Sequence, residues 1–307
     1  MAPRFGYLLP TREVTMAGKP EIRPLLDLAQ TAAAQGFDSI WVGDSLLARP
    51  RHEPLTLLAA VAARVPKVEI GTAVLLPALR NPVLLAHQVA TLDQISEGRL
   101  ILGVGIAADR PNIRAEFEAA GVPFDKRVGR LLEQLRLCKA LWTGQSVDWE
   151  GRWTVKGGTL GPVPYRKGGP PIWIGGALPA SLDRAGRIFD GWLPNGGEPV
   201  EWAEKWAQVK TIAKIAGRDP NALTGAIYLT MAIGPDPAEA ERRLNAYLES
   251  YYLQPAATAR ARQACFAGTE EGAAAWLDGY VKAGAQHLIL RFAGDQVGQM
   301  GVLGRVR

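Results

Sequence analysis

The stretch NPVLLAHQVATLDQISEGRLILGVG, residues 81–105, contains a predicted helix, a turn and a buried strand in one run. Asn81 and Pro82 indicate the start of the helix, because asparagine caps helices well and proline suits the first helical position. Apolar residues then recur at helical spacing, and Gly98 predicts the end of the helix. The glycine-bounded apolar run at residues 99–105 is typical of a strand buried on both faces, as parallel sheets require.

The same alternation of strand and helix runs along the whole chain. Eight strands are predicted, each followed by a helix, at residues 4–9, 37–42, 68–75, 99–105, 171–175, 191–193, 225–233 and 286–291. The alternation breaks at residues 143–169, where a hairpin turning at Glu150-Gly151 and a segment rich in Pro and Gly predict an excursion before strand five. The pattern predicts one α/β domain over residues 1–307, a (β/α)8 or TIM barrel. A doubly wound open sheet is the alternative, and the strand count favours the barrel.

Composition narrows the classes of function. A hydrophobic content of 48% is enough for a large core, yet no apolar run is long enough to span a bilayer and the N-terminus lacks the layout of a signal peptide. Cys138 and Cys265 form no motif, as expected of reduced cysteines in a cytoplasmic protein. The net charge of +5 comes from scattered basic residues, which favours anionic ligands mildly and does not predict nucleic-acid binding. No spacing of His, Cys and carboxylates predicts a metal site.

Three further segments accompany the stretch at residues 81–105. They are GTAVL at residues 71–75, PPIWIGG at residues 170–176 and DGWL at residues 190–193. In this order the four segments resemble the bacterial luciferase-like monooxygenase family. The resemblance implies a (β/α)8 barrel with an excursion near strand five. It also implies that the protein uses either reduced FMN with dioxygen or the deazaflavin coenzyme F-420 as hydride carrier, acts on a small-molecule substrate, forms a homodimer and, with FMN, depends on a flavin reductase.

The expected phosphate site follows strand five. Gly175, Gly176 and Ala177 precede a helix whose N-terminal N–H groups suit a phosphate, and glycine lets the phosphate approach closely. A tight turn between strand and helix is the purely structural alternative. The resemblance places Asn195 on the same phosphate. Arg184 would add charge there, although a surface salt bridge explains it as well.

The expected flavin-ring site lies at the ends of strands three and four. Gly103 and Gly105 indicate that something approaches the backbone of strand four closely. The resemblance implies a non-prolyl cis peptide between Ala73 and Val74 that backs the flavin ring. It also implies that Gly105 and Ile106 line the edge of that ring.

The sequence departs from the deazaflavin dehydrogenases of the family at two strand ends. Those enzymes typically carry a His directly after the Asp that follows strand two, whereas Ser45 follows Asp44 here. They also carry an acid shortly after strand four, where this chain has Ala107 and Ala108 before Asp109. This departure favours a flavin-dependent monooxygenase that uses reduced FMN and dioxygen. Deazaflavin-dependent hydride transfer and a non-catalytic flavin-binding barrel stay as alternatives. An aldolase or isomerase acting on a sugar phosphate is less favoured, because such an enzyme needs a Lys or an acidic base at a strand end and this chain has none there.

Candidate catalytic and substrate residues lie in the loops at the same end of the barrel. His52 follows strand two and is a possible pocket base, with a solvated loop histidine as the structural alternative. Asp109 is the second candidate proton carrier. Arg12, Ser45 and Arg49 are expected to hold the substrate, which would be anionic or carry a carbonyl group.

Overall fold

The computed structural model describes residues 2–306, and its centre is a closed barrel of eight parallel strands. The strands in chain order are β1 (Arg4–Leu8), β2 (Ser39–Val42), β3 (Glu69–Thr72), β4 (Leu100–Val104), β5 (Val147–Glu150), β6 (Thr154–Gly158), β7 (Ile172–Ile174), β8 (Gly191–Trp192), β9 (Thr224–Ile233), β10 (Cys265–Gly268) and β11 (His287–Phe292). The barrel runs β1-β2-β3-β4-β7-β8-β9-β11, and β11 pairs back with β1. The predicted TIM barrel is therefore confirmed.

Helices connect successive strands and cover the barrel. They are α1 (Thr11–Met16), α2 (Ile22–Ala34), α3 (Pro54–Arg64), α4 (Pro82–Ile95), α5 (Pro111–Ala119), α6 (Arg127–Leu141), α7 (Pro179–Ile188), α8 (Pro199–Ile215), α9 (Pro237–Tyr252), α10 (Ala256–Arg260), α11 (Glu270–Lys282), α12 (Gln296–Met300) and α13 (Leu303–Val306). Short 3-10 helices lie at Pro77–Leu79, Phe124–Lys126 and Pro220–Ala222. Helices α1, α5 and α10 are not predicted from the sequence, because they are too short to show a clear helical period. None of the helices among residues 2–306 is long and apolar enough to cross a membrane.

The stretch at residues 81–105 folds as its sequence predicts. The Asn81 side chain accepts hydrogen bonds from the N–H groups of Val83 (2.9 Å) and Leu84 (3.3 Å), so it caps α4. Gly98 has a φ of +76° and reverses the chain after the helix. Every residue of β4 is buried, as expected of a strand with covered faces.

The predicted excursion lies outside the barrel. Strands β5 and β6 form an antiparallel hairpin that pairs only with itself. The backbone N–H of Arg152, in the turn of the hairpin, donates to Glu133 on α6 at 2.7 Å. This contact fixes the hairpin against the outer helix layer.

One strand, β10, was not predicted. Strand β9 is long, and β8 pairs with only its first two residues, Thr224 and Gly225. Residues 230–233 of β9 pair with β10 on that side instead. Strand β10 thus forms because the backbone N–H and C=O groups at this end of β9 need hydrogen-bond partners. The four residues of β10 do not show this need in their own sequence.

Large side chains close the inside of the barrel below its C-terminal ends. The Trp41 ring fills the space beside Gly6 and Gly71 on the two flanking strands, where an added Cβ would lie 2.4 Å from the ring in both cases. The ring centroid of Trp41 is 5.5 Å from that of Trp173, and both rings contact His287 with centroid distances of 5.4 Å. The space left for a ligand is therefore at the C-terminal mouth of the barrel.

Candidate active site

The C-terminal ends of the barrel strands surround a cavity of ≈ 580 Å³. This volume lies in the range of small-molecule and cofactor sites. Of the residues selected from the sequence, the structure brings these to the cavity wall: Ser45, Arg49, Ala73, Val74, Gly105, Ile106, Gly175, Gly176 and Asn195. They come from the segments after β2, β3, β4, β7 and β8, which are far apart in sequence and adjacent in the barrel.

The chain after β3 forms one wall of the cavity. The peptide bond between Ala73 and Val74 is cis, as the resemblance implied. An added Cβ on Gly103 would lie 2.0 Å from the carbonyl oxygen of Thr72, and one on Gly105 would lie 2.5 Å from Val74 Cγ2. The close approach predicted at these two glycines is therefore made by Thr72 and Val74, at the end of β3 and just after it, and not by a ligand.

The segment between β7 and α7 forms the end expected to hold a phosphate. Gly176 has a φ of +96°, a conformation that favours glycine, and its carbonyl oxygen accepts a hydrogen bond from Trp192 Nε1 at 2.8 Å. The N-cap residue of α7, Leu178, supplies no side-chain hydrogen bond to the helix end. Ser181 and Arg184, on the first turns of α7, line the cavity beside it. This arrangement leaves a helix N-terminus and a cation facing the space where an anion would bind.

Arg184 lacks a full set of partners. Its Nη2 donates to Ser181 Oγ at 3.3 Å, while its Nε is buried and makes no hydrogen bond within residues 2–306. Burial lowers the pKa of this guanidinium, an effect that the adjacent carboxylate of Asp183 opposes. An anionic ligand would supply the missing acceptor.

The cavity is strongly cationic. Six arginines line it, and none of them forms an ion pair with a carboxylate in the described part of the chain: Arg49, Arg51, Arg110, Arg127, Arg184 and Arg291. Asp44 is the one acid on the wall among residues 2–306, and Arg80 neutralises it through contacts of 2.5 and 3.1 Å. The uncompensated positive charge suits anionic cofactors and substrates.

Two buried carboxylates hold the loop after β2. Asp44 also accepts a hydrogen bond from the backbone N–H of Leu76 at 2.8 Å, which ties this loop to the chain after β3. Glu116 on α5 accepts from the Ser45 hydroxyl (2.7 Å) and from the N–H of Leu47 (2.8 Å). Ser45, which stands where the deazaflavin dehydrogenases typically have histidine, is thus a hydrogen-bonded part of the loop.

Four residues selected from the sequence do not line the cavity. His52 Nε2 lies 2.7 Å from the carbonyl oxygen of Pro20, so its ring is held against a different loop. Asp109 is exposed and forms a bidentate ion pair with Arg114 at 2.6 and 2.8 Å. The structure gives no support to the catalytic roles predicted for these two residues.

The other two lie near the cavity without reaching its surface. The Arg12 guanidinium is 4.7 Å from the centre of the Tyr251 ring, and it is Tyr251 that lines the cavity. Ala177 follows the two glycines after β7 and is not part of the wall. The spacing of strands and loops could not show that Arg12 and Ala177 stop short of the cavity surface.

Four residues that are not predicted from the sequence also line the cavity. Tyr228 lies on β9, Arg291 on β11, and Tyr251 and Tyr252 end α9. Burial raises the pKa of Tyr228 well above its usual value, while the charge of Arg291 acts to lower it. The adjacent tyrosines at a helix end were the one sequence signal available, and their contact with β11 depends on how α9 packs.

The fold is a TIM barrel with an arginine-lined cavity at the C-terminal ends of its strands. A family model described as luciferase-like monooxygenase matches residues 1–287. The chain therefore belongs to the luciferase-like monooxygenase family.

Named relatives of this chain are oxidoreductases. It is 35% identical over 226 residues to the F420-dependent glucose-6-phosphate dehydrogenase of Mycobacterium avium (strain 104), covering 70% of this chain and 66% of that protein. It is 32% identical over 213 residues to the 5,10-methylenetetrahydromethanopterin reductase of Methanolobus tindarius, covering 69% of this chain and 62% of that protein. The chain thus spans less than two thirds of the length of these curated relatives.

A solved structure extends the likeness over the whole fold. An F420-dependent secondary alcohol dehydrogenase in complex with an F420-acetone adduct superimposes with a TM-score of 0.85. The match covers 100% of this chain and 98% of the other, at 20% sequence identity. At this identity the likeness concerns the fold alone.

Proposed function

We propose that this protein is an oxidoreductase that uses the deazaflavin coenzyme F-420 as its hydride carrier. The observation that carries the proposal is the sequence identity of 35% to an F420-dependent dehydrogenase, together with a cationic cavity at the C-terminal end of the barrel. The sequence alone put FMN first because Ser45 replaces an expected histidine. The named relatives support the opposite order, with the deazaflavin first.

The chain's own residues fit such a cofactor. Gly176, Ser181 and Arg184 would hold a phosphate at the N-terminus of α7, with Asn195 beside them. Ala73-Val74, Gly105 and Ile106 would contact the ring system, since they form the wall next to that end. When bound, the deazaflavin supplies hydride transfer, and the protein supplies position and exclusion of water.

An FMN-dependent monooxygenase is the second candidate, because the family that matches is described as luciferase-like monooxygenase. The cavity wall formed by Ala73, Val74, Ile106, Ala107 and Ala108 is apolar, which suits the protection of a reactive flavin. The same phosphate end would bind FMN. This function would also require a flavin reductase as partner.

Fluorescence titration of the purified protein with F-420 and with FMN tests the choice of cofactor. We expect F-420 to bind and FMN to bind at least about tenfold more weakly, a difference of about 1.4 kcal/mol. Tight FMN binding with oxygen uptake on a substrate panel, and no binding of F-420, would refute the proposal. Cofactor binding without turnover of any substrate would instead indicate a flavin-binding barrel that is not an enzyme.

Matched variants on α7 test the phosphate end. Arg184→Gln should weaken F-420 binding by about tenfold or more, since a hydrogen bond to a charged group is worth about 1.5–3 kcal/mol. Arg187→Gln removes a charge from the same helix, but Arg187 is exposed and paired with Asp183 at 2.7 Å, so it serves as the control. Gly176→Val should also abolish binding, but the positive φ of Gly176 strains any larger residue, so Arg184→Gln is the cleaner test.

We further propose that the protein acts in the cytoplasm as a homodimer. The cytoplasmic location is expected from Cys138 and Cys265, which form no motif, and the homodimer from the family resemblance. Light scattering coupled to size-exclusion chromatography tests the oligomeric state.

A further inference from the structure

A cluster of arginines and tyrosines lies on the cavity wall away from α7. We call it the Arg–Tyr cluster, and it consists of Arg49, Arg51, Tyr228, Tyr251, Tyr252 and Arg291. Its members come from the loop after β2, from β9, from β11 and from the end of α9. In the barrel, β11 is separated from β7 by β9 and β8 on one side and by four strands on the other. The cluster therefore faces the cavity from a different side than the proposed phosphate end.

Arg291 is the buried centre of the cluster. Its side chain is 2% exposed, and its Nη2 donates to Thr230 Oγ1 (2.8 Å), Gln263 Oε1 (2.8 Å) and Tyr252 Oη (3.1 Å). Its guanidinium carbon lies 4.6 Å from the centre of the Tyr251 ring. All these partners are neutral, so they satisfy N–H groups and leave the positive charge uncompensated.

Two more cations share this environment. Arg51 Nη2 donates to the Tyr251 hydroxyl at 3.0 Å, and the Arg49 guanidinium lies 4.9 Å from the centre of the Tyr252 ring. Neither arginine forms an ion pair with a carboxylate within residues 2–306. The charge of Glu13 acts on Arg51 from farther away. The Glu13 carboxylate itself accepts a hydrogen bond from Tyr247.

Tyrosine rings attract cations, but they do not neutralise them. Several like charges on a partly buried wall repel each other, and the repulsion falls when an anion binds between them. Arginine is also the side chain best suited to carboxylate and phosphate groups, because its planar N–H donors can bind two oxygens at once. The Arg–Tyr cluster therefore has the charge and the donors of an anion site.

We propose that the Arg–Tyr cluster binds an anionic group of the substrate, a carboxylate or a phosphate. The inference rests on the proposed function in one respect, which is that the cofactor occupies the α7 end of the same cavity. It adds a substrate class: small molecules that carry a negative charge apart from the carbon that is oxidised or reduced. An uncharged alcohol or ketone would leave the cluster without its partner.

Isothermal titration with succinate, inorganic phosphate and the neutral analogue succinamide tests the proposal. Arg184→Gln serves as the background, because it removes the competing anion site on α7. In that background we expect succinate or phosphate to bind and succinamide not to bind, and the tighter anion identifies the group. Adding Arg49→Gln or Arg51→Gln should weaken binding about tenfold or more, whereas adding the exposed Arg187→Gln should leave it unchanged.

Folding does not limit this test. Arg49 is only partly buried and forms no ion pair within residues 2–306, so Arg49→Gln should keep a native circular dichroism spectrum even where Arg51→Gln or Arg291→Lys does not fold. Anion affinities unchanged in both the Arg49→Gln and Arg51→Gln variants would overturn the proposal. Equal binding of succinamide, or no anion binding to the background protein, would overturn it too.

The cofactor titration is read separately. If F-420 does not bind while the Arg49 and Arg51 variants lose anion affinity, the proposed function is wrong and the anion site stands. If F-420 binds and those variants keep their anion affinity, the anion site is wrong and the proposed function stands. The two inferences can therefore fail independently.

Discussion

A buried histidine makes the stability of the barrel depend on pH in a specific way. His287 begins β11 inside the barrel, and its Nε2 lies 2.7 Å from Ser39 Oγ. Its ring also contacts the indoles of Trp41 and Trp173. Burial, with a smaller contribution from the charge of Arg4, lowers the pKa of His287 from 6.5 to about 3.

The sign and size of the effect follow from this shift. Between pH 6.5 and pH 3 the unfolded chain binds a proton at His287 and the folded chain does not, so the free energy of unfolding falls as the pH drops through this window. The loss approaches about 1.4 kcal/mol per pH unit, which gives about 2 kcal/mol at about pH 5. His287→Gln keeps a polar side chain that can reach Ser39 and removes the titrating group.

Urea denaturation of both proteins at about pH 7.5 and about pH 5 measures the effect. The carboxylates are common to both proteins, so their contribution cancels in the difference. We expect the stability advantage of the wild type over His287→Gln to shrink by about 2 kcal/mol on acidification. A difference that stays the same at both pH values would refute the assignment of a neutral, buried His287.

Three further predictions concern the cavity and the loop after β2 that borders it. Asp44→Ala should cost about 1–3 kcal/mol of unfolding free energy in urea denaturation, because the Leu76 N–H and the Arg80 guanidinium lose a buried acceptor while Glu53, 3.1 Å from Arg80, still balances its charge, and a loss below about 0.5 kcal/mol would contradict this. Glu116→Ala should destabilise by about 1–3 kcal/mol and Glu116→Gln by less, because the amide oxygen can still accept from Ser45, and equal losses would show that the charge matters instead. Cofactor affinity should fall as NaCl is raised from about 0.05 to about 0.5 M, since salt screens the unpaired arginines, and an affinity independent of salt in the fluorescence titration would argue against charge recognition.

Much of the fold was predictable because its signals are local. The cap at Asn81, the helical period of α4 and the glycine-bounded run of β4 all lie within residues 81–105, and each is observed. Strand β10 was missed because it depends on the unpaired edge of β9. The glycines after β7 were found because barrel sites lie at strand ends, whereas Ala73 and Val74 after β3 were expected only from the family resemblance.

The direction of a side chain in a loop was not predictable in the same way. His52 was placed in the correct loop, but the carbonyl oxygen of Pro20, 32 residues away in sequence, holds its ring away from the cavity. Asp109 likewise follows β4, yet Arg114 binds its carboxylate at the surface. Such contacts form between segments whose relative positions exist only once the chain is folded.

The sequence by itself determined the barrel, its excursion and the end at which the cavity opens, because helix periods, caps and apolar strands are set by neighbouring residues. The basic residues are scattered along the sequence without any block, and the net charge is only +5, so the sequence did not reveal a cationic site. The tertiary structure alone brought to one cavity six arginines that form no ion pair within residues 2–306. Closing the barrel joins β11 to β1, so residues as distant as Arg49 and Arg291 come to share one wall and one electrostatic field.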